Sequence, residues 1–340
     1  MLEDLTPPAE EPADVKALRS ALNRAQAQLV AAKDRTEHLT ELVRQAAMDA
    51  MIALGPVPPV TRPAKDRRAS KPEHALWVMT DWQGAKKTAS YDSKVMRERV
   101  LRFAEKAVAI TEIQRKDHPV RNCTIAFGGD MIEGIFNFPT QPYEIDATLF
   151  EQYVSVARLI NDVVRIALAN YEQVEVIAEW GNHGRLGSKR DAVPRSDNAD
   201  RMTYELARQL LAGHKHLKWE DSPEDVQRIE IGSYRALLLH GDEVGRNGFA
   251  SPATIVNHVT RWASGSYPWA FRDAYIGHYH THAEWPLPNG LGSVYQTGST
   301  ESDNRYAGVM LAASATPSQR LHFIDPEKGR VTAAYKVWLD

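Results

Sequence analysis

Five short polar blocks, each placed directly after an apolar run of strand length, constrain this chain more than any other feature. They read TDWQ around Asp81, GGDMIEG around Asp130, WGNHGR around Asn182 and His183, LLHGD around His240, and IGHYHTH around His278 and His280. Apolar runs that end in Gly, Asp, Asn or His and alternate with amphipathic helices predict an α/β chain, whose open sheet presents ligands beyond the carboxyl ends of its strands. Taken singly, a His after a strand or a Gly-Asp pair is ordinarily a structural histidine or a turn. The ordered set is different. Carboxylates, an amide and imidazoles gathered past apolar strands are costly to bury without a cation to coordinate.

The periodicity places strands at 75–80, 123–128 and 174–178, with helices over 93–115, 147–169 and 199–211. Met96, Val100, Phe103, Ala107 and Ile110 share one face of the first helix, and Leu149, Tyr153, Val156, Ile160 and Val163 one face of the second. Beyond them the chain is strand-rich, at 228–231, 235–240, 274–277, 292–297, 320–324 and 331–339, with a helix over 252–263. This half reads as a second sheet packed on the first.

The N-terminal region is organised otherwise. Residues 1–12 read as disordered, and 13–54 as one long helix of good helix formers without Gly or Pro up to position 54. Val15, Leu18, Leu22, Ala25, Leu29, Ala32, Leu39, Val43 and Ala46 step by threes and fours, with Thr36 the one polar interruption, the a/d spacing of a coiled coil, which predicts a homo-oligomer. The competing reading lays this stripe on the chain's own globular domain. Residues 55–73 are Pro-rich and basic, an extended linker, and the globular domain spans 74–340.

Composition removes some classes. A net charge of -3 gives no global attraction to nucleic acid, so such a partner would need a local basic surface. One cysteine, Cys123, excludes an internal disulfide and reads as a small buried hydrophobe in a reducing compartment. The N-terminus lacks the features of a signal peptide, and no apolar run approaches the roughly 20 residues of a membrane span. The expectation is a cytoplasmic protein without a membrane partner.

The ordered blocks resemble those of the calcineurin-like metallophosphoesterases, which read DxH, GD, GNH with an acidic residue following, H, and GHxH. The resemblance covers about 75–339. It implies a two-sheet αββα sandwich carrying two divalent metal ions. Asp81 and His280 would bind the first, Asn182, His240 and His278 the second, and Asp130 would bridge them. A metal-bridging hydroxide would be the nucleophile, with His183 assisting the leaving group. The long GGDMIEG and WGNHGR runs also resemble a phage and prophage branch, distantly similar to the SbcD-type nucleases.

Two positions depart from that pattern. Gln83 replaces the histidine of DxH, so an amide oxygen or no protein ligand meets the first metal there. An oxygen-richer site favours Mn²⁺, with Mg²⁺, Fe²⁺ or Zn²⁺ as alternatives. Gly184 stands where an acidic residue would orient His183, leaving Asp81 or a backbone carbonyl for that task.

Arg185, Lys189, Arg190 and Arg195 follow the GNH block and suit a polyanionic substrate, although a solvated charged loop would read the same way. Trp262, Tyr267, Trp269 and Phe271 could stack on bases or fill a core. The favoured expectation is a phosphodiesterase acting on DNA or other nucleic acid. The alternatives are a phosphatase or phosphodiesterase for small nucleotides or phosphoproteins, and a weakly active metal-binding assembly protein.

Overall fold

The structure is a computed structural model that describes residues 42, 45, 46, 49, 57–137, 141–187, 195–244, 250–302 and 316–340. The coiled-coil helix of 13–54 therefore lies outside the described residues apart from four isolated positions. Residues 57–72 have no regular structure and run along the domain. Val60 N–H donates to His214 Nε2 at 3.0 Å, Asp66 N–H to Glu172 Oε1 at 2.8 Å, and Arg165 to the Pro58 carbonyl at 2.6 Å.

The first sheet has the order β11-β10-β1-β2-β3-β4. Its parallel part is β1 (Glu73–Met79), β2 (Val120–Gly128), β3 (Gln173–Glu179) and the short β4 (Leu217–Trp219). β10 (Ser318–Asp325) and β11 (Arg330–Trp338) return antiparallel beside β1. The second sheet has the order β5-β6-β7-β9-β8. It comprises β5 (Gln227–Ile231), β6 (Tyr234–Leu239), β7 (Asp273–Ile276), β8 (Ala283–Pro286) and β9 (Ser293–Gln296). Assigning the whole second half to a second sheet thus needs correction, because its last two strands complete the first.

Alternation along β1 explains the layers. Ala75, Trp77 and Met79 face a core with Cys123, Ile125 and Phe127 of β2 and the helices α1 (Ser93–Gln114), α2 (Leu149–Asn170) and α3 (Ala199–Leu210). Leu76 and Val78 point the other way, onto Ile229, Ala236, Leu238 and Tyr275 of the second sheet. That sheet's outer face, Leu237, Leu239, Ala274 and Ile276, is covered by Ile255 and Val259 of α4 (Pro252–Arg261). The result is a two-sheet αββα sandwich. Among the described residues no helix is long and apolar enough to cross a membrane.

Caps set the helix starts. Asp92 accepts from Val95 N–H, Asn198 from Asp200 N–H and Ser251 from Thr254 N–H, while Thr148 and Glu151 form a reciprocal capping box.

Candidate metal centre

The polar blocks follow β1, β2, β3, β6 and β7 at their carboxyl ends, where both sheets open to the same side. Leaving an extended strand and aiming the next side chains back across the sheet edge demands a sharp turn. Asp81 (φ 53°), Gln83 (φ 50°), Asp130 (φ 52°), His278 (φ 66°) and His280 (φ 55°) all take the left-handed conformation. Only two other non-glycine residues among those described do so, Lys71 and Ala85. Such backbones cost about 1–3 kcal/mol each and gather where a site needs them. Beside Asp130, Gly129 (φ 87°) allows the turn, since a Cβ there would meet Gly181 N at 2.5 Å and His240 Nδ1 at 2.8 Å.

Four groups converge on one point. His240 Nε2 lies 3.1 Å from Asp130 Oδ2, 3.2 Å from Asn182 Oδ1 and 3.3 Å from His278 Nδ1. Ligand atoms of Asp130, His240 and His278 fall within 4.8 Å of one another. The other nitrogen of His240 is 2.8 Å from the Gly128 carbonyl, which accepts a hydrogen bond from Nδ1–H and leaves the Nε2 lone pair facing the cluster. Lone pairs collected in this way call for a cation.

Asp81 anchors the other half. Its carboxylate accepts from Thr80 Oγ1 at 2.8 Å and His278 N–H at 3.0 Å, and stands 3.3 Å from His280 Nε2. His280 Nδ1 lies 3.0 Å from Glu301 Oε2. Gln83 donates from Nε2 to Asp130 Oδ2 at 3.3 Å, while its Oε1 is buried with no hydrogen-bond partner. An orphaned amide oxygen beside the Asp130 carboxylate fits a hard divalent ion. The donor set therefore suits divalent metal.

Three acidic residues absent from the sequence reading support these ligands. Asp200, in the first turn of α3, accepts backbone N–H groups from Asp130 (2.8 Å), Met131 (3.0 Å), Ile132 (3.2 Å) and Gly181 (2.9 Å), pinning two ligand loops together. Glu133 holds His183, with Oε2 at 3.1 Å from Nδ1. Glu301 holds His280. At Gly184 a Cβ would run into the Asn198 side chain and lie 3.0 Å from Asp200 N, so the carboxylate orienting His183 comes from the Asp130 loop instead. Asp81 does not take that role, whereas the Glu133 carbonyl, 3.2 Å from Nδ1, shares it.

Electrostatics agree. Burial opposes charge on His280, but Asp81 and Glu301 override it and push its pKa up to about 10. Burial likewise opposes charge on His183 and His240, and neighbouring carboxylates raise both. The field is strongly negative, as a cation site requires. Cys123 is fully buried, and burial pushes its thiol well up, in keeping with a structural residue.

Two of the cations expected to meet substrate are paired with carboxylates. Arg185 pairs with Asp242, while Arg195 pairs with Glu243 and, at 3.2 Å, with Glu179. Lys189 and Arg190 lie outside the described residues. Trp262, Tyr267 and Phe271 form a half-buried cluster, with centroids 5.5 and 6.3 Å apart between neighbours. Trp269 instead has the exposed Arg228 and Arg235 over its ring at 5.7 and 5.8 Å.

No protein-family model and no curated protein matches this chain. Among solved structures it is similar to wild-type Vps29 complexed with Zn²⁺ from Entamoeba histolytica, at 13% identity over 78% of this chain and 99% of that one, TM-score 0.35. A hypothetical protein from Pyrococcus horikoshii OT3 aligns at 12% identity over 78% and 89%, TM-score 0.40. A metallophosphoesterase from Sphaerobacter thermophilus aligns at 17% identity over 78% and 89%, TM-score 0.29. Likeness at this level bears on no residue of the centre.

Proposed function

We propose that this chain is a divalent-metal-dependent phosphodiesterase acting on DNA or another nucleic acid. The observation that carries the reading is the convergence of Asp130, Asn182, His240 and His278 on one point, beside Asp81, Gln83 and His280, with five of these seven on backbones bent into the left-handed region. Bound divalent ions would supply the charge that polarises a phosphoryl oxygen and acidifies a water.

The chain's own groups do the remaining work. Asp81, Gln83 and His280 would hold one ion, Asn182, His240 and His278 the other, and Asp130 both. His183, fixed by Glu133, would deliver a proton to the departing oxygen. A polyanionic substrate is supported by the exposed Arg228 and Arg235 around Trp269, on the outer face of the second sheet. Arg235 is about 17 Å from His240 along β6, a span that suits a substrate longer than a mononucleotide.

The test is the purified protein with Mn²⁺, offered single- and double-stranded DNA, RNA, cyclic nucleotides and an aryl phosphodiester. Nucleic-acid cleavage is the expected result; turnover of the aryl diester alone rejects the nucleic-acid reading. Recovery of stripped protein by Zn²⁺ and not by Mn²⁺ rejects the metal preference. Self-association through 13–54 belongs to the same proposal, and an unchanged number of chains per particle after deletion of residues 1–56 rejects it.

A further inference from the structure

Behind the two halves of the centre, one cation lies within ion-pair distance of both supporting carboxylates. Lys86 Nζ is 3.1 Å from Glu301 Oε1 and 4.0 Å from Glu133 Oε2. Those are the carboxylates that hold His280 and His183, at 3.0 and 3.1 Å. Both are nearly inaccessible, Glu133 at 2% and Glu301 at 4% relative exposure. The path His183–Glu133–Lys86–Glu301–His280 is thus continuous in the fold although its members come from five separate stretches of sequence.

Lys86 is held in place by its backbone. Its N–H donates to Gln83 O at 2.8 Å, and it bridges to Ile145, with Lys87 N–H donating to Glu144 O at 2.8 Å and Asp146 N–H to Ala85 O at 2.9 Å. The ammonium therefore projects from the segment that also carries Asp81 and Gln83. Two buried carboxylates near two further acidic ligands would repel one another, and a fixed positive charge between them keeps both aimed at their histidines.

We propose that Lys86 is a positioning residue common to both halves of the centre, setting first-ion affinity through Glu301 and His280 and the orientation of His183 through Glu133. This rests on the two-metal reading above. The chemistry it serves is cation binding, so binding is the primary readout.

The experiment titrates metal-stripped full-length protein with Mn²⁺, measuring bound ions per chain and the dissociation constant of each. Lys86→Met should keep one ion at wild-type affinity and bind the other roughly tenfold to a hundredfold more weakly, the range for lost outer-shell support. Lys86→Arg should recover most of that loss. A folded Lys86→Met that binds both ions as wild type does, or weakens both equally, overturns the proposal. If Lys86→Met does not fold, Glu301→Gln keeps the shape and removes the charge, and it must show the same selective loss; normal binding of both ions overturns the proposal. Failure of the underlying reading looks different, since wild type itself would then bind fewer than two ions.

Discussion

His183 Nδ1 lies 3.1 Å from the Glu133 carboxylate, three residues beyond the Asp130 that His183 also touches through its backbone N–H at 2.7 Å. One loop therefore supplies both the carboxylate proposed to be shared between two ions and the group orienting the histidine. With Nδ1–H given to Glu133, Nε2 is the atom left for the substrate, 3.9 Å from Asp130 Oδ2.

Glu133→Gln preserves shape and removes the charge that favours a protonated His183. We expect kcat on a phosphodiester with a poor leaving group to fall about 10²-fold, the lower end of proton-transfer assistance, with KM little changed. An aryl diester, whose leaving group needs no proton, should suffer much less. Equal losses across a leaving-group series would contradict the assignment.

Gln83→His places an imidazole beside Asp130. Since nitrogen ligands raise relative affinity for Zn²⁺, the Zn²⁺-to-Mn²⁺ affinity ratio should rise by roughly tenfold. Competition binding measures this directly. An unchanged ratio means that position 83 does not ligate.

Asp200→Asn replaces one of two oxygens that together accept four backbone N–H groups with an N–H₂ that cannot accept. The expected cost is about 3 kcal/mol, read by denaturant unfolding. Metal affinity should weaken too, because the loops of Asp130 and Asn182 lose their common anchor.

Stability should fall in acid through buried neutral histidines. Burial lowers the His74 pKa to about 4, and burial with the nearby Arg320 charge lowers His322 well below its ordinary value. For a base depressed on folding, the contribution is complete above the unfolded value near 6.5 and is lost as pH drops through the folded value. Between about pH 6.5 and 4 His74 costs about 1.4 kcal/mol per pH unit, and His322 adds in the same direction. His74→Gln, which can still bond Thr124 Oγ1, should flatten thermal midpoints across that window; a curve parallel to wild type would refute the role of His74.

The strand ends were legible because apolar runs stop where polar blocks begin, and metal-type donors are conspicuous there. β4 and β8 were not read, being three and four residues long, one of them ending in Pro286. Nothing local assigns β10 and β11 to the first sheet, since pairing partners are chosen in three dimensions. Asp200 and Glu301 escaped for the same reason. Glu133 left a trace, a carboxylate three residues after Asp130 between glycine-flanked turns, but its partner lies 50 residues away.

The return of β10 to the side of β1 has a temporal consequence. Gln319 grips Thr80 in both directions, accepting from its N–H at 2.7 Å and donating to its carbonyl at 3.1 Å, immediately before Asp81. The earliest of these candidate ligands is thus steadied by a strand 239 residues further along the chain. A nascent polypeptide that has not yet made β10 has its polar blocks but not the frame that aims Asp81, so the native arrangement of the candidate centre waits for that strand.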